Sequence, residues 1–212
     1  MRNASFKWAV RAALLLIGAG CATVPEHETA GVLAERMVRE SFSAPAPALL
    51  ARLEQDRSQQ ICSKIGGATP TQDEAAEVVK LARASIEYPA SGKLLGDWKI
   101  GETLAHDGAG DRIQFGQLEK RKENGGLCQN CHALAAGEIN VGNVGPPLTG
   151  YGIQRGHSEA TVKFAYEKIY NAWVYFPCSN MPRLGANRHL TPDQITHLVA
   201  YLVDPQSPIN RK

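Results

Sequence analysis

The stretch Cys128-Gln129-Asn130-Cys131-His132 decides how the rest of this 212-residue chain is interpreted. Its two thiols are three positions apart, about one helical turn, so each can add to one vinyl group of the same porphyrin. The histidine that follows is then placed to bind the iron. The box therefore predicts one covalently attached haem c, held by Cys128 and Cys131, with His132 as an axial iron ligand.

Two other kinds of site also use closely spaced cysteines. A zinc site with four protein ligands needs a second Cys/His pair at comparable spacing, and the chain has no such pair. A redox-active dithiol of the thioredoxin type does not require the adjacent histidine. Haem is therefore the interpretation that uses all three residues of the box.

Met181 is the predicted second axial ligand. Outside the N-terminal signal the chain has two methionines, Met37 and Met181, and only the second follows the haem box. Pro177 and Pro182 stiffen the loop around it, which helps to hold a weak thioether ligand in place. A Met/His pair also raises the reduction potential relative to two histidines. The alternatives are three histidines, namely His157, His189 and His197.

A metal-bound histidine needs a hydrogen bond on its other ring nitrogen. The turn Gly145-Pro146-Pro147-Leu148-Thr149-Gly150 follows shortly after His132. Because the turn is rigid, we expect it to direct the Pro146 carbonyl at His132 and to pack Leu148 near the haem ring. Alternatively, the prolines only turn the chain.

The N-terminus predicts an export signal over residues 1–21. Basic residues precede the apolar run at 12–17, and Gly18-Ala19-Gly20-Cys21 follows it. This ending resembles a bacterial lipoprotein processing site, although Gly18 stands where a larger aliphatic residue is usual. We expect a periplasmic protein, either anchored through a lipidated Cys21 or released after ordinary cleavage. No other stretch is long and apolar enough to cross a bilayer.

The charge of the exported chain excludes one class of partner. Without the signal, 20 basic and 21 acidic residues remain, for a net charge of −1. Nucleic-acid binding requires clusters of lysine and arginine, whereas the basic run Lys120-Arg121-Lys122 is followed directly by Glu123. No nucleic-acid partner is expected.

Cys62 and Cys178 remain after the haem box and Cys21 are assigned. An exported protein lies in an oxidising compartment, so we expect these two cysteines to form a disulfide. The alternative is a reactive Cys178 that accepts sulfur, but no neighbour in the sequence would activate its thiol.

The composition divides the chain after the signal into three parts. Residues 22–50 mix Ala, Pro, Glu and Ser and are typical of a flexible tether. Residues 51–95 form a helical extension that is too small for a core of its own, so we expect it to pack on the haem domain. Residues 96–212 are the predicted haem domain.

Local signals predict a mostly α fold. Thr71 with Glu74 and Thr191 with Gln194 form capping boxes, and Asp97 is an N-cap residue. Strand-like alternation is scarce, and residues 107–126 are typical of a polar, glycine-rich insertion. The expected helices lie near residues 32–42, 72–88, 98–105, 158–173 and 192–203.

The order of these features resembles the class I cytochrome c fold with an N-terminal helical extension. That fold implies that the first and last helices of the haem domain cross, with Gly101 letting Tyr201 approach closely. Residues 166–172 and 175–183, with Tyr88-Pro89 and Gly96-Asp97-Trp98 upstream, are more specifically similar to the X subunit of the SoxAX cytochromes of bacterial thiosulfate oxidation. This resemblance covers about residues 88 to 208.

The second resemblance implies a monohaem electron-transfer subunit that forms a heterodimer with a haem-bearing A subunit. Such a pair joins thiosulfate oxidatively to a cysteine of a sulfur-carrier protein, and the electrons pass to another cytochrome c. The sulfur chemistry would belong to the A subunit. Two alternatives stay open: a stand-alone tethered cytochrome that delivers electrons to an oxidase or reductase, and an interaction module in which haem is only structural.

Overall fold

The computed structural model describes residues 29–41, 54–65, 68–110, 112–114, 117–119, 123–139 and 141–211. The predicted export signal, its lipidation site Cys21 and much of the predicted tether lie outside the described residues. Helix α1 (Ala30–Ser41) belongs to a compact unit of its own, and all of its side chains are exposed.

The described residues from 54 onward belong to a second compact unit, which is mostly helical. The predicted fold class is confirmed. None of the described helices is long and apolar enough to cross a membrane. The α-helices of this unit are α2 (Arg57–Ile65), α3 (Gln72–Ala84), α4 (Trp98–His106), α5 (Tyr151–Arg155), α6 (Glu159–Tyr170) and α7 (Pro192–Val203). Short 3₁₀ turns cover Cys128–Asn130, Ala172–Val174 and Pro208–Asn210.

The glycine-rich insertion before the haem box contains a hairpin that was not predicted. Strands β1 (Arg112–Gln114) and β2 (Gln117–Glu119) pair antiparallel, with Arg112 opposite Glu119. Three-residue strands are too short to show an alternating pattern, so periodicity alone does not detect them.

Helices α4 and α7 cross with their backbones in contact, as the resemblance to the class I cytochrome c fold implied. A Cβ at position 101 would overlap the His197 carbonyl and lie 2.8 Å from Tyr201 Cβ, so the crossing requires Gly101. Both helix starts follow their predicted caps. The Asp97 carboxylate accepts from the Lys99 N–H at 2.8 Å, and both hydrogen bonds of the Thr191 capping box are present.

Two helix ends differ from prediction. Helix α3 starts at its Thr71 capping box but ends at Ala84 rather than near Tyr88. The Ser85 hydroxyl donates to the Ala82 carbonyl at 2.7 Å, and this local bond competes with continuation of the helix. Helix α6 ends at Tyr170, before a separate 3₁₀ turn.

The core of this unit consists of two clusters. The main cluster joins α4, α6 and α7, and its fully buried side chains include Leu134, Tyr166, Leu190, Ile195, Val199 and Tyr201. The second cluster joins the extension to the 3₁₀ turn at 172–174, through Ile61, Val78, Ala82, Ala172, Trp173 and Val174. The extension therefore packs on this turn through apolar contacts. Each fully buried Val or Ile side chain contributes about 1.5–3 kcal/mol to the free energy of unfolding.

A disulfide joins Cys62 of α2 to Cys178, as expected from the two remaining cysteines. It closes a sequence separation of 116 residues and attaches the extension to the loop that carries Met181. Cys178 has a φ of 60°, in the left-handed region that is unusual for a residue with a side chain.

Replacing both Cys62 and Cys178 with serine should lower the free energy of unfolding by about 2–5 kcal/mol, because the bridge restricts a long loop of the unfolded chain. Denaturant unfolding with and without a reductant measures this loss, and reduced wild-type protein should match the double variant. Two reactive thiols in denatured, non-reduced wild-type protein would contradict the bridge.

Buried Glu167 links the two segments on either side of α6. Its carboxylate accepts hydrogen bonds from the Tyr88 hydroxyl at 2.6 Å, from the Tyr175 hydroxyl at 2.5 Å and from the Lys163 ammonium group. Burial alone would raise the pKa of Glu167, but these three donors outweigh burial and lower the pKa below its ordinary value. The charged carboxylate therefore stabilises the fold.

The replacement Glu167→Gln should lower the free energy of unfolding at neutral pH by about 1.5–3 kcal/mol, since it weakens bonds to a charged acceptor. The contribution of Glu167 is complete above the ordinary carboxyl pKa of about 4.3 and is lost as pH falls through the lower pKa of the folded state. Unfolding as a function of pH should therefore show a flatter acid limb in the variant. Replacement of exposed Glu87 with Gln is the control and should change stability by less than about 0.5 kcal/mol.

Candidate haem c site

The C-x-x-C-H box forms a tight turn beside helix α4. The N–H groups of Cys131 and His132 both donate to the Cys128 carbonyl, at 3.1 and 3.0 Å. Before the turn, the Gly126 N–H donates to the Leu104 carbonyl at 2.7 Å. These backbone bonds attach the box directly to the helix that crosses α7.

Neither cysteine of the box takes part in a disulfide, so both thiols are available for attachment of a porphyrin through thioethers. Burial raises the pKa of the Cys128 thiol to about 11, so this thiol is protonated at neutral pH. A zinc site needs four protein ligands, and among the residues that the structure describes no three His, Cys, Asp or Glu side chains come together as a metal site would need.

His132 is oriented by the proline turn that follows it. Its Nδ1 lies 2.7 Å from the Pro146 carbonyl oxygen. Because a carbonyl only accepts, Nδ1 carries the proton, and Nε2 keeps its lone pair for a metal. This bond fixes both the tautomer and the direction of the ring.

A glycine that the sequence analysis did not single out lets the turn lie against His132. A Cβ at position 145 would overlap the imidazole ring, so Gly145 is required for this approach. The turn is attached to the box by backbone bonds from Gly145 to Cys131 and from Leu148 to Ala133, both 2.8 Å. The signal for Gly145 was its place at the start of the G-P-P-L stretch.

Met181 lies in a loop that packs against both core clusters. Its N–H donates to the Ser179 hydroxyl at 3.2 Å, and the Ser179 carbonyl accepts from the Trp173 indole N–H at 2.8 Å. Cys128 and Leu148 pack against the main cluster as well. The structure therefore brings a thiol of the box, the proline turn and the predicted thioether ligand to the border of one core.

The three histidines considered as alternatives to Met181 have other surroundings. His189 Nε2 lies 2.8 Å from the Gly125 carbonyl, and His197 Nδ1 accepts from the Asp97 N–H at 2.7 Å. His157 is exposed. Met37 is 56% exposed on α1. The hydrogen bonds to Gly125 and Asp97 give His189 a structural role in the loop before the box and His197 a structural role at the start of α4.

An additional hydrogen-bonded contact involves His106, which the sequence did not identify. Its Nδ1 lies 2.7 Å from the Glu102 carbonyl and its Nε2 lies 3.0 Å from the Glu138 carboxylate. Burial lowers the pKa of His106, but these hydrogen bonds outweigh burial and raise the pKa overall. The pair links the end of α4 to the segment that follows the box.

The residues of this site fit haem c. The chain offers two free thiols three positions apart, an imidazole with a free Nε2 and a thioether in a packed loop. The two thiols would attach the porphyrin, and the imidazole nitrogen and thioether sulfur are ligands that haem iron uses, unlike the oxygen ligands that magnesium or calcium prefers. When bound, haem supplies a one-electron couple. The fold and the site together define a haem c electron-transfer protein.

Comparisons with known proteins agree with this class. The family model described as "Cytochrome c" matches residues 125–204. The chain is also 40% identical over 157 residues to an uncharacterised lipoprotein of Aquifex aeolicus (strain VF5). The aligned region covers 74% of this chain and 73% of the relative. The chain belongs to the cytochrome c family, and its crossed helices and haem box are those of class I.

The replacement Met181→Ala should leave haem attached through Cys128 and Cys131 but remove one axial ligand. The reduction potential should fall, and the sulfur-to-iron charge-transfer absorption of the oxidised protein should disappear. Redox titration and absorption spectroscopy measure the two effects. Met37→Ala is the matched control and should change neither. Survival of the absorption in the Met181 variant would show that another residue binds the iron.

Proposed function

We propose that this chain is the electron-transfer subunit of a SoxAX-type cytochrome of thiosulfate oxidation. The proposal is supported by the similarity of residues 166–172 and 175–183, with Tyr88-Pro89, to the X subunit of that complex. The relevant residues lie together in the fold, since Tyr88 and Tyr175 both donate to Glu167. The similar segments are thus connected in one structural unit, and residues 175–183 include Met181 itself.

We infer electron transfer rather than sulfur chemistry for this chain. If His132 and Met181 both hold the iron, no coordination position would be left for a substrate. The site can then exchange single electrons with a neighbouring redox centre but cannot bind thiosulfate at the metal. In the proposed complex, the sulfur chemistry belongs to the haem-bearing A subunit.

The reaction proposed for the complex forms one sulfur–sulfur bond. Thiosulfate and the cysteine thiol of the carrier protein together lose two electrons and one proton, and the product is a cysteine S-thiosulfonate. The haem that His132 and Met181 would hold would supply the one-electron couple for passing these electrons to another cytochrome c. The complex is therefore an L-cysteine S-thiosulfotransferase in which this chain contributes electron transfer.

A second candidate function is a stand-alone cytochrome c, anchored to the membrane, that carries electrons to an oxidase or reductase. The lipoprotein relative and the predicted lipidation at Cys21 favour an anchor. Both functions belong in the periplasm, and a membrane anchor is compatible with either of them. The identity of the partner protein therefore distinguishes the two functions.

Affinity purification of the tagged chain from the periplasmic and membrane fractions of cells grown on thiosulfate tests the proposal. We expect a haem-bearing A subunit to co-purify in equal amounts, and the complex to load thiosulfate onto the carrier cysteine, as seen by protein mass. The complex carrying Met181→Ala should assemble but release electrons more slowly. Co-purification with an oxidase or reductase alone would support the second function and contradict the first.

A further inference from the structure

The extension is attached to the Met181 loop at two points. The first is the Cys62–Cys178 disulfide, three residues before Met181. The second is an ion pair between Asp56 Oδ2 and Arg183 Nη1, 2.8 Å apart and two residues after Met181. The two attachments lie on either side of the predicted ligand in the sequence. Asp56 lies directly before α2, and Cys62 lies within this helix.

Arg183 is held as a buried charge. The residue is 7% exposed, and its guanidinium carbon lies 4.4 Å from the centre of the Trp173 ring. A buried guanidinium is strongly destabilising unless it is paired. Asp56 and the Trp173 ring together provide that compensation, one as counter-ion and the other as a cation–π surface.

The position of the Asp56 carboxylate is itself fixed by helix α2. Its Oδ1 accepts from the Gln59 N–H at 2.8 Å, and the Asp56 N–H donates to the Gln59 side chain at 2.9 Å. One oxygen of the carboxylate therefore caps α2 while the other binds Arg183. The start of the helix determines where the guanidinium can lie.

Trp173 contacts the Met181 loop on both sides of the ligand. Its indole N–H donates to the Ser179 carbonyl at 2.8 Å, and its ring covers Arg183. Between these contacts, the Met181 N–H is bound by the Ser179 hydroxyl. A thioether is a weak ligand, so its binding depends on a loop that is already ordered in the binding conformation.

We propose that Arg183, fixed by Asp56 and Trp173, is a positioning residue that keeps Met181 available to the iron. The extension then has a direct role in axial ligation. The proposal rests on Met181 being the ligand in the proposed electron-transfer function, and it adds the residues that hold this ligand. It does not depend on the identity of the partner protein.

The test compares purified holo-cytochrome variants for binding of added imidazole, which competes with Met181 for the iron. Asp56→Asn removes the counter-ion but keeps a good helix cap, because Asn and Asp are similar N-cap residues. Arg183→Gln removes the buried charge. Arg57→Gln is the matched control. Arg57 follows Asp56 directly in the sequence, but its exposed ion pair is with Glu77 of α3 and not with the Met181 loop.

We expect Asp56→Asn and Arg183→Gln each to bind imidazole about tenfold more tightly than wild type, the effect of a single lost contact. The sulfur-to-iron absorption of both should weaken, and the double variant should resemble Arg183→Gln alone because the two residues act as one pair. Arg57→Gln should behave as wild type. Arg183→Lys should restore only part of the effect, because lysine lacks the planar group that stacks on Trp173.

Wild-type imidazole affinity and absorption in Asp56→Asn and Arg183→Gln would overturn the proposal, even if both variants unfold more easily. If Arg183→Gln does not retain haem, Asp56→Asn decides alone, because its side chain is half exposed and its cap is preserved. Because the isolated chain is used, failure to find an A subunit would leave this result intact. Survival of the sulfur-to-iron absorption in Met181→Ala would show that Met181 is not the iron ligand, and it would overturn the proposal.

Discussion

The close crossing of α4 and α7 is the contact on which the rest of the haem domain depends. Gly101 allows it, because any larger residue would overlap the His197 carbonyl. The chain returns to α4 just before the haem box, where the Gly126 N–H donates to the Leu104 carbonyl. The crossing forms the main core, and Cys128 of the box packs at the border of that core.

The two sides of the proposed iron site are held in physically different ways. The His132 side is local, since the turn that carries Gly145 and Pro146 is bound to the box by backbone hydrogen bonds. The Met181 side depends on distant groups, because Trp173, the Cys62–Cys178 bridge and the Asp56–Arg183 pair all act on its loop. An imidazole binds iron strongly, whereas a thioether requires this additional order.

Much of the fold could be predicted because its signals are local. Thr71, Asp97 and Thr191 start helices at the predicted positions, since each side chain binds an N–H of the first turn. The predicted end of α3 was wrong because the hydrogen bond of the Ser85 hydroxyl ends the helix before the apolar pattern ends. The β1–β2 hairpin was missed because its strands are shorter than the pattern that would reveal them.

The sequence by itself determined the chemistry of the site. The spacing of Cys128, Cys131 and His132 needs no tertiary contact, because one turn of backbone sets the distance between their side chains. Only the tertiary structure decided what holds Met181. The packing of α2 selects Asp56 as the partner of Arg183, and residues that meet only through packing leave no periodic or capping signal in the chain.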